Sequence, residues 1–144
     1  MKLISVNKMI ELTILGYEFP KIDQQTNYYD ANWLMVQIKF KEEDYEEEIY
    51  KDSCVLTFEL EKFLFDAKSI FRGEQNSCEL EAFEPYLSIF LKRISKVEYN
   101  LKIEYIFNRK TGDKIIFDET LPNYEVEDFV DDLERQIKKL PVRK

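Results

Sequence analysis

The side chains with chemical potential in this chain are carboxylates. It carries 29 Asp and Glu against 21 Lys and Arg, and no histidine. Without imidazole, the Ser-His-Asp and Cys-His arrangements are excluded, as is His-ligated zinc. Neither the dinucleotide fingerprint nor the P-loop occurs, and three glycines can supply neither. Paired carboxylates can do glycosidase-type acid–base work or bind Mg²⁺. Asp30, Glu59, Glu84 and Glu104 are candidates for such a pair. Among so many acids almost any set could be nominated, so an enzyme is the least favoured reading, and no cofactor or metal is expected.

The densest charge is the run Lys41-Glu42-Glu43-Asp44-Tyr45-Glu46-Glu47-Glu48, six of whose eight residues are acidic. So many like charges repel one another and resist burial, which places the run on a solvated hairpin or loop. It reads first as an ordinary solvated loop. Read functionally, Glu42, Glu43, Asp44, Tyr45, Glu46, Glu47 and Glu48 form a docking surface for Lys and Arg of a partner. A tyrosine within such a run suits an interface, where Tyr is enriched.

The elements that must position this run follow from periodicity. Leu34, Val36, Ile38 and Phe40 alternate with Met35, Gln37 and Lys39, the period of a half-buried strand. The strand is entered through Asp30, Asn32 and Trp33. Asp and Asn favour turns, and the only tryptophan reads as a core anchor, so these three form the expected structural motif. Ile10, Leu12 and Ile14 mark an earlier strand, with Gly16 as a bulge and Pro20 as a stop. Ile49 to Leu56 is a further short strand.

Leu56, Leu60, Phe63, Leu64, Ala67, Ile70 and Phe71 then form one helical stripe. This predicts a helix over about 58–71, with Thr57 as N-cap and Gly73 just past its end. Strands follow at Cys78–Ala82, Leu87–Leu91, Tyr99–Phe107 and Lys114–Thr120, the last two joined by a loop containing Gly112. Val126, Phe129, Val130, Leu133, Ile137 and Leu140 build a second amphipathic helix, with Pro141 ending it. The expectation is an α+β fold: one mainly antiparallel sheet of six to seven strands, as a sandwich or partial barrel, with two amphipathic helices, in a single domain over 1–144.

The totals narrow the function. A net charge of −8 opposes phosphate backbones and anionic membrane surfaces, so neither nucleic acid nor membrane is an expected partner. Cys54 and Cys78 are expected as reduced core residues. The first residues are too polar for a signal peptide and no run approaches the roughly 20 apolar residues of a membrane span, so the chain reads as cytoplasmic.

Gly16-Tyr17-Glu18-Phe19-Pro20, then Tyr29-Asp30-Ala31-Asn32-Trp33-Leu34, Leu56-Thr57-Phe58-Glu59-Leu60 and Phe83-Glu84-Pro85-Tyr86-Leu87, resemble the WapI-like family of bacterial immunity proteins over roughly residues 10–105. The Asp-Ala-Asn-Trp-Leu element is the most specific part. The resemblance implies a non-enzymatic protein that binds and neutralises the toxic C-terminal domain of a contact-dependent toxin. In the family's namesake system that toxin resembles a nuclease acting on tRNA. The shared Trp33 motif would then serve the scaffold, and partner specificity would reside in exposed loops. The alternative is a binding module or assembly subunit with another partner, as a monomer or a homodimer.

Overall fold

The computed structural model describes residues 1–144. The chain runs β1 (Lys2–Ile4), β2 (Lys8–Tyr17), α1 (Tyr28–Asn32), β3 (Trp33–Glu42), β4 (Glu48–Leu56), α2 (Thr57–Phe71), β5 (Ser77–Glu79), β6 (Leu87–Arg93), β7 (Glu98–Asn108), β8 (Asp113–Pro122) and α3 (Asn123–Ile137). The eight strands form two antiparallel four-stranded sheets, β1-β2-β3-β4 and β5-β6-β7-β8. The α+β class and the antiparallel pairing are as expected. The single sheet of six to seven strands is not, and a third, short helix is present.

The division into two sheets follows from α2. Strand β4 runs directly into that helix, so the chain leaves the first sheet and returns far enough away to start another. Each sheet is then a meander of short connections. Inner faces follow the period of two. Ile10 lies opposite Phe40, Leu12 opposite Ile38 and Ile14 opposite Val36. In the second sheet Leu87 faces Tyr105, Ile89 faces Ile103 and Leu91 faces Leu101. Both inner faces, with Leu60, Phe63, Leu64, Ala67 and Ile70 of α2 and Val126, Phe129, Val130, Leu133 and Ile137 of α3, join one cluster of 30 buried residues.

Local irregularities have local causes. Gly16 sits at φ +145°, where a side chain is strained, and the β2–β3 register shifts there as a bulge. Strand β1 covers β2 only from Met9 to Glu11. Beyond it, the side chain of Gln136 on α3 takes over: its Oε1 accepts from Ile14 N–H at 2.7 Å and its Nε2 donates to Leu12 O at 3.3 Å. Gly73, at φ +77°, ends α2 as expected, with Gly73 N–H donating to Ile70 O and Glu74 N–H to Ser69 O.

Thr57 is not the N-cap. It is the first residue of α2, and Leu56 precedes the helix in extended conformation. The Thr57 hydroxyl instead donates to Asn32 Oδ1 at 2.7 Å. Asn32 is completely buried and uses its whole bonding capacity. Oδ1 also accepts from Arg143 N–H at 2.8 Å, and Nδ2 donates to Tyr28 O and Arg143 O, each at 2.8 Å. Arg143 adds Nε–H to Ala31 O at 2.7 Å and stacks 3.6 Å over the Tyr17 ring. Trp33, by contrast, is only half-buried and lies outside the core cluster.

Truncating this amide removes the partner of four polar groups around a buried position. Asn32→Ala is expected to cost about 2–4 kcal/mol, and Thr57→Val about 1 kcal/mol. Urea unfolding monitored at Trp33 measures both; an Asn32→Ala cost below about 1 kcal/mol would show that the network does not hold this end of the fold.

Candidate functional site

The acidic run forms the β3–β4 hairpin. Glu42 closes β3, Glu48 opens β4 opposite Phe40, and residues 43–47 make the turn. The turn is ordered through main-chain groups. Tyr45 N–H donates to Glu42 O at 2.8 Å, and Glu43 N–H donates to Asn7 O at 2.9 Å in the β1–β2 turn. Lys41 Nζ reaches back to Glu43 O and Tyr45 O, both at 3.1 Å. Five of the carboxylates are exposed, and Glu42 is half-buried. None of Glu42, Glu43, Asp44, Glu46, Glu47 and Glu48 takes part in any of the nine ion pairs of the chain. Tyr45 stands among them with 71% of its surface exposed.

Behind the hairpin lies a cleft of about 390 Å³. Its outer wall is Glu42, Tyr45, Glu46 and Glu48, and its apolar side is Phe40, Phe107, Ile115 and Ile116. Two lysines also line it, and both are engaged. Lys8 Nζ donates to Ile116 O at 3.2 Å, and Lys114 Nζ to Glu104 Oε2 at 3.1 Å. Burial opposes ionisation of Glu104, yet bonds from Lys114 and Lys102 outweigh it and hold its carboxyl below the usual range.

A polar lock fixes the base of the hairpin to the second sheet. Asp52 lies opposite Val36, hence on the inner face of β4, and accepts from Tyr105 Oη–H at 2.8 Å and from Arg109 Nη2 at 2.9 and 3.0 Å. The Arg109 guanidinium sits 3.9 Å over the Tyr86 ring. Beside it, Tyr50 stacks on Phe107 with ring centres 5.2 Å apart. The sequence reading missed Asp52, Tyr105 and Arg109. The available signal was an aspartate on the apolar phase of a strand, which requires a partner across the core.

The four carboxylates nominated for catalysis do not come together in one site; only Glu59 and Glu84 lie close enough to act on each other. Asp30 bonds within its own turn, its Oδ2 accepting from Asn27 Nδ2 at 2.9 Å. Glu59 is buried and accepts from the N–H groups of Leu56 and Phe83, tying the start of α2 to the β5–β6 loop. Burial raises its pKa against those bonds, with Glu84 adding to the rise. Glu104 lies in the lysine pairs of the other pole. No group of three or more Cys, Asp and Glu is placed to hold a metal ion. Both cysteines are free, and burial pushes both thiols up to about 12. No helix is long and apolar enough to cross a membrane.

The α+β scaffold thus carries at one end an acidic hairpin none of whose carboxylates is ion-paired. The chain belongs to the immunity protein WapI-like family, whose family model matches residues 3–141. That match extends past residue 105 and takes in β8 and α3. No curated protein and no solved structure matches.

The lock has a pH signature. Burial first, then the bond to Asp52, pushes the Tyr105 phenol well above its ordinary value of 10.0. The unfolded chain therefore releases this proton near pH 10 while the folded chain keeps it. Stability is full below that pH and falls as pH rises above it. Tyr105→Phe is expected to lose less stability between pH 9 and 11 than the parent, measured by urea unfolding at each pH; equal slopes would remove Tyr105 from the lock.

Proposed function

We propose that this chain is a cytoplasmic immunity protein that binds the toxic C-terminal domain of a contact-dependent toxin and neutralises it by covering a basic surface. Membership of the immunity family supports the toxin as partner. The observation that carries the mechanism is the hairpin, whose main chain is bonded in place while its six carboxylates have no cation of the chain paired to them. A nuclease toxin grips phosphates with a basic surface, and an acidic hairpin competes for the same groups. The whole chain acts as one folded unit, with Asp30, Asn32 and Trp33 in the scaffold and Glu42 to Glu48 in the interface. Inhibition comes from occupation of the surface rather than from catalysis, and needs no cofactor.

Complementary charge raises the rate of encounter and fades with salt. Converting Glu43, Asp44, Glu46 and Glu47 to Lys is expected to slow association by roughly ten- to a thousandfold at low salt and to flatten its salt dependence. Stopped-flow binding to the cognate toxin domain, with protection of toxin-expressing cells alongside, checks it. Unchanged association and protection would exclude the hairpin from the interface.

A further inference from the structure

Each sheet ends in two edge strands, whose outward N–H and C=O groups stay unpaired unless another segment covers them. Three of the four edges are short or covered. β1 and β5 span three residues each. β8 spans ten, but Lys8 Nζ takes its Ile116 carbonyl at 3.2 Å and Ser5 Oγ donates to its Glu119 at 3.1 Å, so the β1–β2 turn lies against it. β4 is the exception. It spans nine residues, and no main-chain group of residues 48–53 is bonded to anything but β3.

Local features bound the open stretch. Past Asp52 the register shifts as a bulge, with Val36 opposite Asp52 but Leu34 opposite Val55, and a bulge interrupts further pairing. Beyond it Cys54, Val55 and Leu56 are buried. Before it Ile49 and Lys51 are exposed, and they lie on the outer face of the sheet with Lys39 and Gln37. Tyr50 and Asp52 take the opposite phase, toward the second sheet. Tyr50 stacks there on Phe107, which stays 39% exposed. The bonds from Asp52 to Tyr105 and Arg109 hold this stretch in place, so a strand docking beside it orders little of the chain. Its charges are mixed: Glu48, Lys51, and an Asp52 already paired with Arg109. Recognition here therefore rests on main-chain groups and shape rather than on sign of charge.

We infer that the open edge of β4, over residues 48–52, takes an extended segment of the toxin domain as a fifth strand of the first sheet. The inference rests on the toxin-binding reading above. β4 leaves the acidic hairpin at Glu48, so a partner seated on the hairpin already lies at the start of this edge. In such strand addition, main-chain bonds supply affinity and alternate side chains supply specificity. The side chain beside Tyr50 and Phe107 is apolar, because it completes a half-covered aromatic pair. A second copy pairing at the same edge would bring another chain of net charge −8 alongside, which opposes it. The hairpin then governs encounter and the edge governs residence.

Amide hydrogen exchange by NMR, on the free chain and on its complex with the cognate toxin domain, reads this edge residue by residue. In the free chain every second amide from 49 to 52 points away from β3 and exchanges fast. In the complex these amides are expected to slow by about a hundredfold or more, and isotope-filtered spectra to show main-chain contacts between β4 and the toxin. A complex that forms without slowing them overturns the edge and leaves the immunity reading standing. Slowing without main-chain contacts between the chains does the same, because it means covering by side chains alone. No complex at all overturns both. Sedimentation of the free chain supplies the remaining outcome: a dimer whose outward β4 amides are already protected puts a second copy on the edge and overturns the toxin assignment.

Discussion

One amide decides how the first sheet is entered. Asn32 is buried with two donors and two acceptor sites, all occupied, and its partners come from three places far apart in sequence. In a low-dielectric site such a network holds strongly when complete and is costly when one member is missing. It therefore acts as a register mark. Helix α1 must end at Asn32, β3 must begin at Trp33, and α2 must start with Thr57 against them. Arg143 closes the same site from the other end of the chain, donating to Ala31, Pro20 and Phe19 carbonyls that the turn would otherwise leave exposed. No buried side-chain polar atom in the molecule lacks a partner.

The hairpin at the far end of β3 inherits its position from this pole. A strand paired on both sides transmits register along its length, so the placement of Trp33 determines where Glu42 leaves the sheet. The Asp52–Tyr105–Arg109 lock then fixes the hairpin base against β7 of the second sheet. Between the two polar anchor points lies an apolar core with no directional preference of its own. Hydrophobic burial supplies most of the stabilisation, and the two polar sites select one arrangement of the sheets.

How far this could be read from sequence depended on the range of the deciding interaction. β3, β7, α2 and α3 were legible because each carries a long, unmixed period, and the Gly16 bulge and Gly73 terminus because each is a backbone requirement of a single residue. Helix α1 spans five residues, too few for a helical period to show. Thr57 has the composition of an N-cap, but its hydroxyl is drawn away by Asn32, a partner 25 residues earlier. Two sheets were mistaken for one because alternation reports which face a residue occupies and not which strands share a ladder. The acidic run was plain from local composition. Its cleft was not, since Phe107, Lys114 and Ile115 reach it only through the packing of the second sheet.

The hairpin's charge has a physical consequence for the free protein. Six carboxylates fall within seven residues, a chain spacing comparable with the roughly 8 Å Debye length of physiological salt, so they repel one another in the free protein. A turn with that repulsion would splay unless main-chain bonds held it, and the bonds from Tyr45, Glu43 and Lys41 do so. Lys41 is the nearest cation in sequence, yet its ammonium is spent on carbonyls rather than on the acids. The fold therefore keeps the turn closed while leaving its charge unneutralised. A positive surface arriving from outside would relieve repulsion already present and meet a turn whose backbone is already in place. Favourable change of that kind exists only in the complex, which is the condition for a charged loop to favour a partner over the free state.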